Sequence, residues 1–454
     1  MNRKIMWTIC SLVLIASMAL ASCGGGTTQA PATAAPATAA PATAAPATQP
    51  PVTPVTIRWR TRPDNQAEQD VYQSISDSLS TQLAAQGINL VYDPSPVTGY
   101  EDKLKTEYSA GTAPDIAWVP GASSADYAKL GVILDLMPLA TADTTFKLTD
   151  YYDAPMHELE HGGALWGLPR DISTLVMYYN KDLFKKYNVD DPATLFAEGK
   201  WDWANFQRVA QEITHPEDKI YGFSVSDWWG LWGWFVNSGG GSLFNADRTA
   251  CGLTEPGSIA GLQFMSDLFL GANRVAPPPG LEGGVGETEF HAGTVGMFPN
   301  GRWMTPSDRT NDQFNWAVVE MPTGPGGVKA TWLFWGAYVI NAKTKYPEQA
   351  WTVLKALTSA DVQAQVAALG TNIPSNKAQA AVDAFLNSKP PADNTPFING
   401  AAYAQAEIPL YTGNWNDIVS GQYQPNIDKI FAGTATVQEA AQAACDGADP
   451  LFTK

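Results

Sequence analysis

The sequence predicts an α/β protein of two lobes joined by several short crossings, and three observations carry that expectation. Strand-like alternation and helical periodicity take turns along the chain after about residue 55. About 400 residues lie in that stretch, too many for one compact core and enough for two domains. The glycine- and proline-rich segments at 239–241, 277–280 and 324–327 are each a few residues long, which suits turns between elements rather than linkers between separate beads.

Two segments of a different kind precede this stretch. Arg3 and Lys4 stand before an apolar run from about Ile5 to Leu20, which ends in Leu20-Ala21-Ser22-Cys23 and three glycines. A charged start, a short apolar stretch and small residues before the cut are what an export signal needs, and the run is short for a membrane span of ~20 residues. Residues 1–22 are therefore expected to be absent from the mature chain. Leu-Ala-Ser-Cys also resembles the lipobox of bacterial lipoproteins, in which the cysteine is acylated through its sulfur, and this implies lipid on Cys23. Residues 23–54 would then be a lipidated cysteine followed by a tether. The Pro-Ala-Thr-Ala-Ala repeats from 27 onward carry no charge and cannot build a core. At ~3.1 Å per residue in an extended, polyproline-like form, they reach up to ~90 Å. Glycosylation of the threonines is left open.

The formal charge of the whole chain is −17, and the leader holds two bases and no acid, so the mature chain is more acidic still. Such a surface repels nucleic acid and anionic headgroups, which are bound through clustered Lys and Arg. Of the four cysteines, Cys10 leaves with the signal and Cys23 is taken by lipid. The remaining pair, in an oxidising compartment, suggests one Cys251–Cys445 disulfide; two buried thiols are the alternative.

Along the globular part, Val55 to Arg60 alternates as a strand. Asp70 to Gln86 carries Val71, Ile75, Leu79 and Leu83 at helical spacing before Gly87, and Ile88 to Tyr92 is the next strand, completing a β-α-β unit. A helix from Tyr100 to Ala110 stops at Gly111, and a strand through Trp118 follows Pro114-Asp115. Leu175 to Asn180 reads as a buried strand, then a helix to Tyr187, then a second helix from Trp203 to Ile213 with Asp202 as its N-cap. Gly257 to Leu270 is helical, Gly293 to Phe298 a strand, and Tyr346 to Thr358 an amphipathic helix. The alternation points to parallel sheets covered by helices.

Four separated stretches then carry a family resemblance. They are Tyr100-Glu101-Asp102-Lys103-Leu104 through Pro114-Asp115 and Gly131-Val132-Ile133-Leu134-Asp135-Leu136; Gly167-Leu168-Pro169 with Tyr179-Asn180-Lys181-Asp182-Leu183-Phe184; Gly293-Thr294-Val295-Gly296-Met297 with Asn300-Gly301-Arg302-Trp303; and Pro347-Glu348-Gln349-Ala350-Trp351 through Ile373-Pro374. In order and spacing they resemble the sugar-binding branch of the ABC-importer solute-binding proteins, the family of the maltose-binding protein. The resemblance implies a periplasmic-binding-protein-like fold in which both lobes are discontinuous: residues 55–171 with 338–387, and residues 172–337 with 388–454. It further implies a ligand cleft between the lobes and a multi-crossover hinge whose closure is read by a membrane permease. The implied protein is an extracytoplasmic monomer that binds a carbohydrate, performs no reaction and holds no cofactor.

Sugars offer apolar C–H faces and rims of hydroxyls, so a cleft for them needs flat aromatic rings and Asp, Asn or Arg. Carried over by motif position, the cleft candidates are Trp118, Asp171, Asn300, Trp303, Trp335 and Trp415. Arg60 and Arg62 join them at the end of the first strand, because ligands of open α/β sheets gather at strand carboxyl ends. Asp227, Trp228 and Trp232 are added on composition.

Competing signals are weaker. His157-Glu158-Leu159-Glu160-His161 fits the H-E-x-x-H pattern of zinc peptidases, but Gly162-Gly163 stops any helix at once and no third ligand is placed by a second pattern. A solvated helix end is the expected reading, and no metal site is assigned. A glycoside hydrolase would also line its site with tryptophans and carboxylates, and a peptide, polyamine or polyol phosphate remains an alternative cargo.

Overall fold

The computed structural model describes residues 53–453 apart from 64, 97, 273 and 278–285. The export signal, Cys23 and all of the tether before Thr53 lie outside the described residues.

The first β-α-β unit forms as its pattern dictates. Strand Val55–Arg60 pairs in parallel with Ile88–Tyr92. The helix between them, Gln66–Leu83, begins earlier than the apolar spacing suggests, because the Asn65 side chain caps it by accepting from the Glu68 amide at 3.0 Å. Its buried face is Tyr72, Ile75, Leu79 and Leu83. Strand Ile116–Pro120 pairs in parallel with the other edge of Val55–Arg60, after helix Tyr100–Ala110, whose C-cap Gly111 takes a left-handed φ of 72°.

The sheet then departs from the all-parallel expectation. Two strands unassigned from sequence extend it: Trp332–Ile340 lies beside Ile116–Pro120, Leu168–Thr174 lies on its far side, and Trp332–Ile340 runs antiparallel to both. Short Ile373–Pro374 forms the edge, and Gln405–Ala406 pairs with Trp332–Leu333. A second sheet of four strands has the order Trp316–Val319, Val176–Asn180, Val295–Asn300, Tyr221–Phe223, antiparallel except for the last pair. The physical reason is the traffic between sheets. The chain leaves the first sheet through Thr174 into Val176 and returns into Trp332, so the return strand enters from the opposite end. All nine residues of Trp332–Ile340 are buried, as a strand flanked on both edges and covered on both faces should be.

Helices cover both sheets. Trp203–Ile213 starts at Asp202, whose carboxylate accepts from the Asn205 amide at 2.8 Å. Helix Val437–Ala448, closed at its start by a reciprocal Thr436–Glu439 capping box, packs on helix Pro256–Leu270. From the same helix Cys445 is bonded to Cys251, across 194 residues of sequence. Among the described residues no helix is long and apolar enough to cross a membrane.

Candidate ligand-binding cleft

The ends of these strands and the start of helix Trp229–Ser238 surround a cavity of about 580 Å³. One wall comes from the first sheet: Arg62 two residues past its strand, Trp118 and Pro120, Arg170, Asp171 and Ser173, and Phe334 to Gly336 of the long return strand. Facing it are Trp228, Trp229, Trp303 and Ser307, and Glu287, Asn372 and Glu407 complete the rim and floor. A smaller, more polar hollow of about 290 Å³ shares Arg62 and Trp118 and adds Glu101, Asp102, Lys105 and Asn416.

The rings are held in place by each other and by glycines. Trp228 meets Trp303 edge-on at 5.9 Å and lies 5.0 Å from Phe334, while Trp303 meets Phe334 at 5.4 Å. Edge-to-face aromatic contacts of this kind contribute about 0.5–1.5 kcal/mol each beyond burial. Four of the cleft indoles lie against a glycine that a side chain would displace: a Cβ on Gly336 would stand 2.0 Å from Trp118, on Gly301 2.2 Å from Trp303, and on Gly121 and Gly230 2.6 Å from Trp335 and Trp228.

Polar groups are placed as firmly. Arg170 donates to Asp171 at 2.6 Å and to Thr61 at 2.8 Å. Burial opposes its charge, but Asp171 together with Tyr72, Tyr338 and Glu68 outweighs it, so the guanidinium is held well above its ordinary range and stays charged. The guanidinium carbons of Arg62 and Arg170 lie 4.9 and 5.0 Å from the Trp118 ring centre, within cation–π reach. Two buried donors in the wall, Trp118 Nε1 and Asn372 Nδ2, have no acceptor among the described residues. Such a donor is costly unless something in the cavity accepts from it.

Of the residues expected at the cleft, Arg62, Trp118, Asp171, Trp228, Trp303 and Trp335 line it together. The others are placed elsewhere, each for a visible reason. Arg60 is buried and spent on ion pairs with Asp93, at 2.6 Å, and with Glu107. Asn300 is turned onto its own loop, accepting from the Gly301 amide at 2.8 Å. Trp232 is covered completely and donates to Gln424 at 2.9 Å. Asp227 is exposed, with its carbonyl accepting from Gln424. Trp415 stands one layer back, 4.8 Å from the Trp229 ring, and buttresses the wall without lining it.

Sequence reasoning missed Arg170, Trp229, Phe334, Asn372, Glu287 and Glu407. Trp229 and Phe334 adjoin expected residues and Arg170 adjoins Asp171, whereas Asn372, Glu287 and Glu407 carry no local signal. The H-E-x-x-H motif is split between two elements: helix Asp153–Leu159 ends before Glu160–His161, which pairs as a hairpin with Ala164–Leu165. Glu158 is held by Arg248 through two 2.7 Å bonds, and His161 stacks on Tyr411 at 3.6 Å, so the two imidazoles share no helical face.

Comparison with known proteins agrees with this architecture. A putative binding protein of Brucella abortus is 24% identical over 384 residues, 81% of this chain and 87% of the relative. A maltooligosaccharide ABC transporter solute-binding lipoprotein of Streptococcus pneumoniae is 25% identical over 305 residues, 64% of this chain and 66% of that protein. Among solved structures, an ABC substrate-binding protein of Listeria monocytogenes in complex with cycloalternan superposes with a TM-score of 0.78 at 21% identity, covering 87% of this chain and 98% of that one. The cyclic alpha-maltosyl-1,6-maltose binding protein of Arthrobacter globiformis does so with a TM-score of 0.72 at 21% identity, covering 88% and 99%. The family model described as bacterial extracellular solute-binding protein matches residues 68–364, and the chain belongs to that family.

Proposed function

We propose that this protein is the lipid-anchored, extracytoplasmic substrate-binding subunit of an ABC importer, and that it closes its cleft on a carbohydrate and hands it to the membrane permease unchanged. The observation that carries the reading is the cleft wall: five indoles and Phe334, interleaved with two arginines, Asp171 and two glutamates. Flat rings take up the C–H faces of a sugar while charged and amide groups take its hydroxyls. The cavity lies within the ~300–1,000 Å³ usual for small-molecule sites. Its continuation past Trp118 into the polar hollow favours an oligosaccharide over a single ring. Similar proteins named for maltooligosaccharide, or solved with cycloalternan, point the same way.

The lobes in this reading are residues 55–171 with 338–387 and residues 172–337 with 388–454, and the ligand shifts an open–closed equilibrium by its differential affinity for the two states. Cys23 holds the lipid and the repeat segment is the spacer. Calorimetric titration of the soluble domain against mono- and oligosaccharides tests the cargo: binding of an oligosaccharide, with quenched or shifted tryptophan fluorescence, supports it. Failure of every glycan alongside tight binding of a polyamine or peptide overturns it. Anchoring is tested by Cys23→Ala, which is expected to abolish fatty-acid labelling and release the protein from the membrane fraction.

A further inference from the structure

The stretch after strand Gln405–Ala406 places a carboxyl where an ionised side chain is poorly supported. Glu407 follows directly on strand Gln405–Ala406; its amide donates to Leu333 O at 2.9 Å, and its carbonyl accepts from Trp335 Nε1 at 2.9 Å. The residue is 7% exposed, yet it opens on the same cavity as Trp118, Asp171 and Trp335. Gly121 makes room for the pair, since a Cβ there would stand 2.6 Å from the Trp335 indole and 3.0 Å from Glu407 Oε2. Glu407 and Trp335 are therefore one unit: the backbone of the first orients the ring of the second, and both line the cavity.

The surroundings do not offset a charge on Glu407. Helix Tyr100–Ala110 brings the like charge of Glu101 to bear on it, and only backbone hydrogen bonds at Ala122 and Trp335 favour its ionised form. Helix Ser124–Lys129 carries Asp126 and Lys129, but the Lys129 ammonium is engaged with Leu410 O at 2.9 Å, with Gly413 O and with Asp126 at 3.0 Å. The other charged groups of the cleft are Arg62, Arg170, Asp171 and Glu287, with Arg170 bound to Asp171. Burial consequently pushes the Glu407 carboxyl up to about 8.

We propose that Glu407 is a specificity-determining residue of the cleft, whose protonated carboxyl gives one O–H to, and takes one hydrogen bond from, neighbouring hydroxyls of the ligand, selecting an uncharged polyhydroxyl group over a cation. The proposal rests on the carbohydrate reading above. Its sign follows from linkage. When the protonated form binds, affinity is level below pH 8 and falls about tenfold for each pH unit above it, with proton uptake on binding. A cationic ligand behaves in the opposite way, gaining affinity as the carboxyl ionises.

The experiment is titration of the intact domain with its best oligosaccharide between pH 6 and pH 9.5, in buffers of differing ionisation enthalpy, for wild type and Glu407→Gln. Wild type is expected to lose about tenfold in affinity between pH 7 and pH 9 and to take up about half a proton or more per ligand at pH 8.5. Glu407→Gln, which keeps a donor and an acceptor but cannot ionise, is expected to show a flat pH profile and no proton uptake from this site, whatever its affinity at pH 7. Should the variant fail to fold, the infrared band of the protonated carboxyl in wild type, persisting to higher pH with ligand than without it, supports the same assignment. Affinity and proton uptake independent of pH overturn the inference alone. Absence of glycan binding at every pH, or affinity for a polyamine that climbs with pH, overturns the carbohydrate reading and this inference with it.

Discussion

Helix Trp229–Ser238 holds two kinds of tryptophan. Trp229, in its first turn, is half-buried and faces the cleft, with Trp415 behind it. Trp232 and Trp234, a turn further in, are fully covered and donate to Gln424 at 2.9 Å and to Ala330 O at 3.0 Å. The three share composition, helix and near neighbours, and they differ in what lies above their turn. The Trp229 ring lines the cavity, whereas Trp232 and Trp234 are enclosed, with Gln424 and Ala330 as their hydrogen-bond partners. An indole is a ligand platform or a core residue according to its cover.

Substitutions on the two sides differ in the size of their expected effects. The largest effect belongs to the core side: Trp232→Ala is expected to cost about 3–5 kcal/mol of stability in denaturant unfolding, with unchanged affinity in the protein that remains folded. Weakened binding without loss of stability would move Trp232 to the cleft side. Next comes the disulfide. Cys251→Ser with Cys445→Ser releases helix Val437–Ala448 from the Cys251 loop; a loss of about 2–4 kcal/mol is expected in denaturant unfolding. An unchanged unfolding midpoint would show that packing alone holds the helix.

On the cleft side, Trp303→Ala is expected to weaken oligosaccharide binding by about 1–3 kcal/mol in calorimetry, with little change in unfolding. Trp335→Ala is a mixed case, because that ring is nearly covered and bonded to Glu407 O, and both affinity and stability are expected to fall. The smallest effect is Glu158→Ala, which removes the paired 2.7 Å bonds to Arg248. Arg248 is one-third exposed and can be solvated once Glu158, itself buried, is removed, so about 1 kcal/mol is expected; a loss above about 2 kcal/mol would make this pair a structural clamp.

Glu407 adds a pH dependence of stability with a definite sign. Its folded value, about 8, lies above that of an exposed glutamate, so its contribution is full below the unfolded value and is lost as pH rises through 8. Glu407→Gln removes that slope.

Much of the fold was legible in the residues alone. The spacing of Ile75, Leu79 and Leu83, the N-cap at Asp202 and the stop at Gly111 set their helices locally, since propensity, capping and apolar period depend on neighbours in sequence. Part of the cleft was legible too, through Trp118 after Pro114-Asp115 and Trp303 after Asn300-Gly301, which line it as their motif positions implied. The strand Leu168–Thr174 was hidden because Pro169, Arg170 and Asp171, the last two of which line the cleft wall, interrupt the apolar alternation that marks a strand. Tertiary structure alone decided the rest: that Trp332–Ile340 returns antiparallel, that Arg60 turns to Asp93 while Arg62 turns to the cleft, and that Glu407 reaches it at all. Each of these depends on which distant segments become neighbours, and the packing of the whole chain, not the local periodicity, brings residues 121, 335 and 407 to one point.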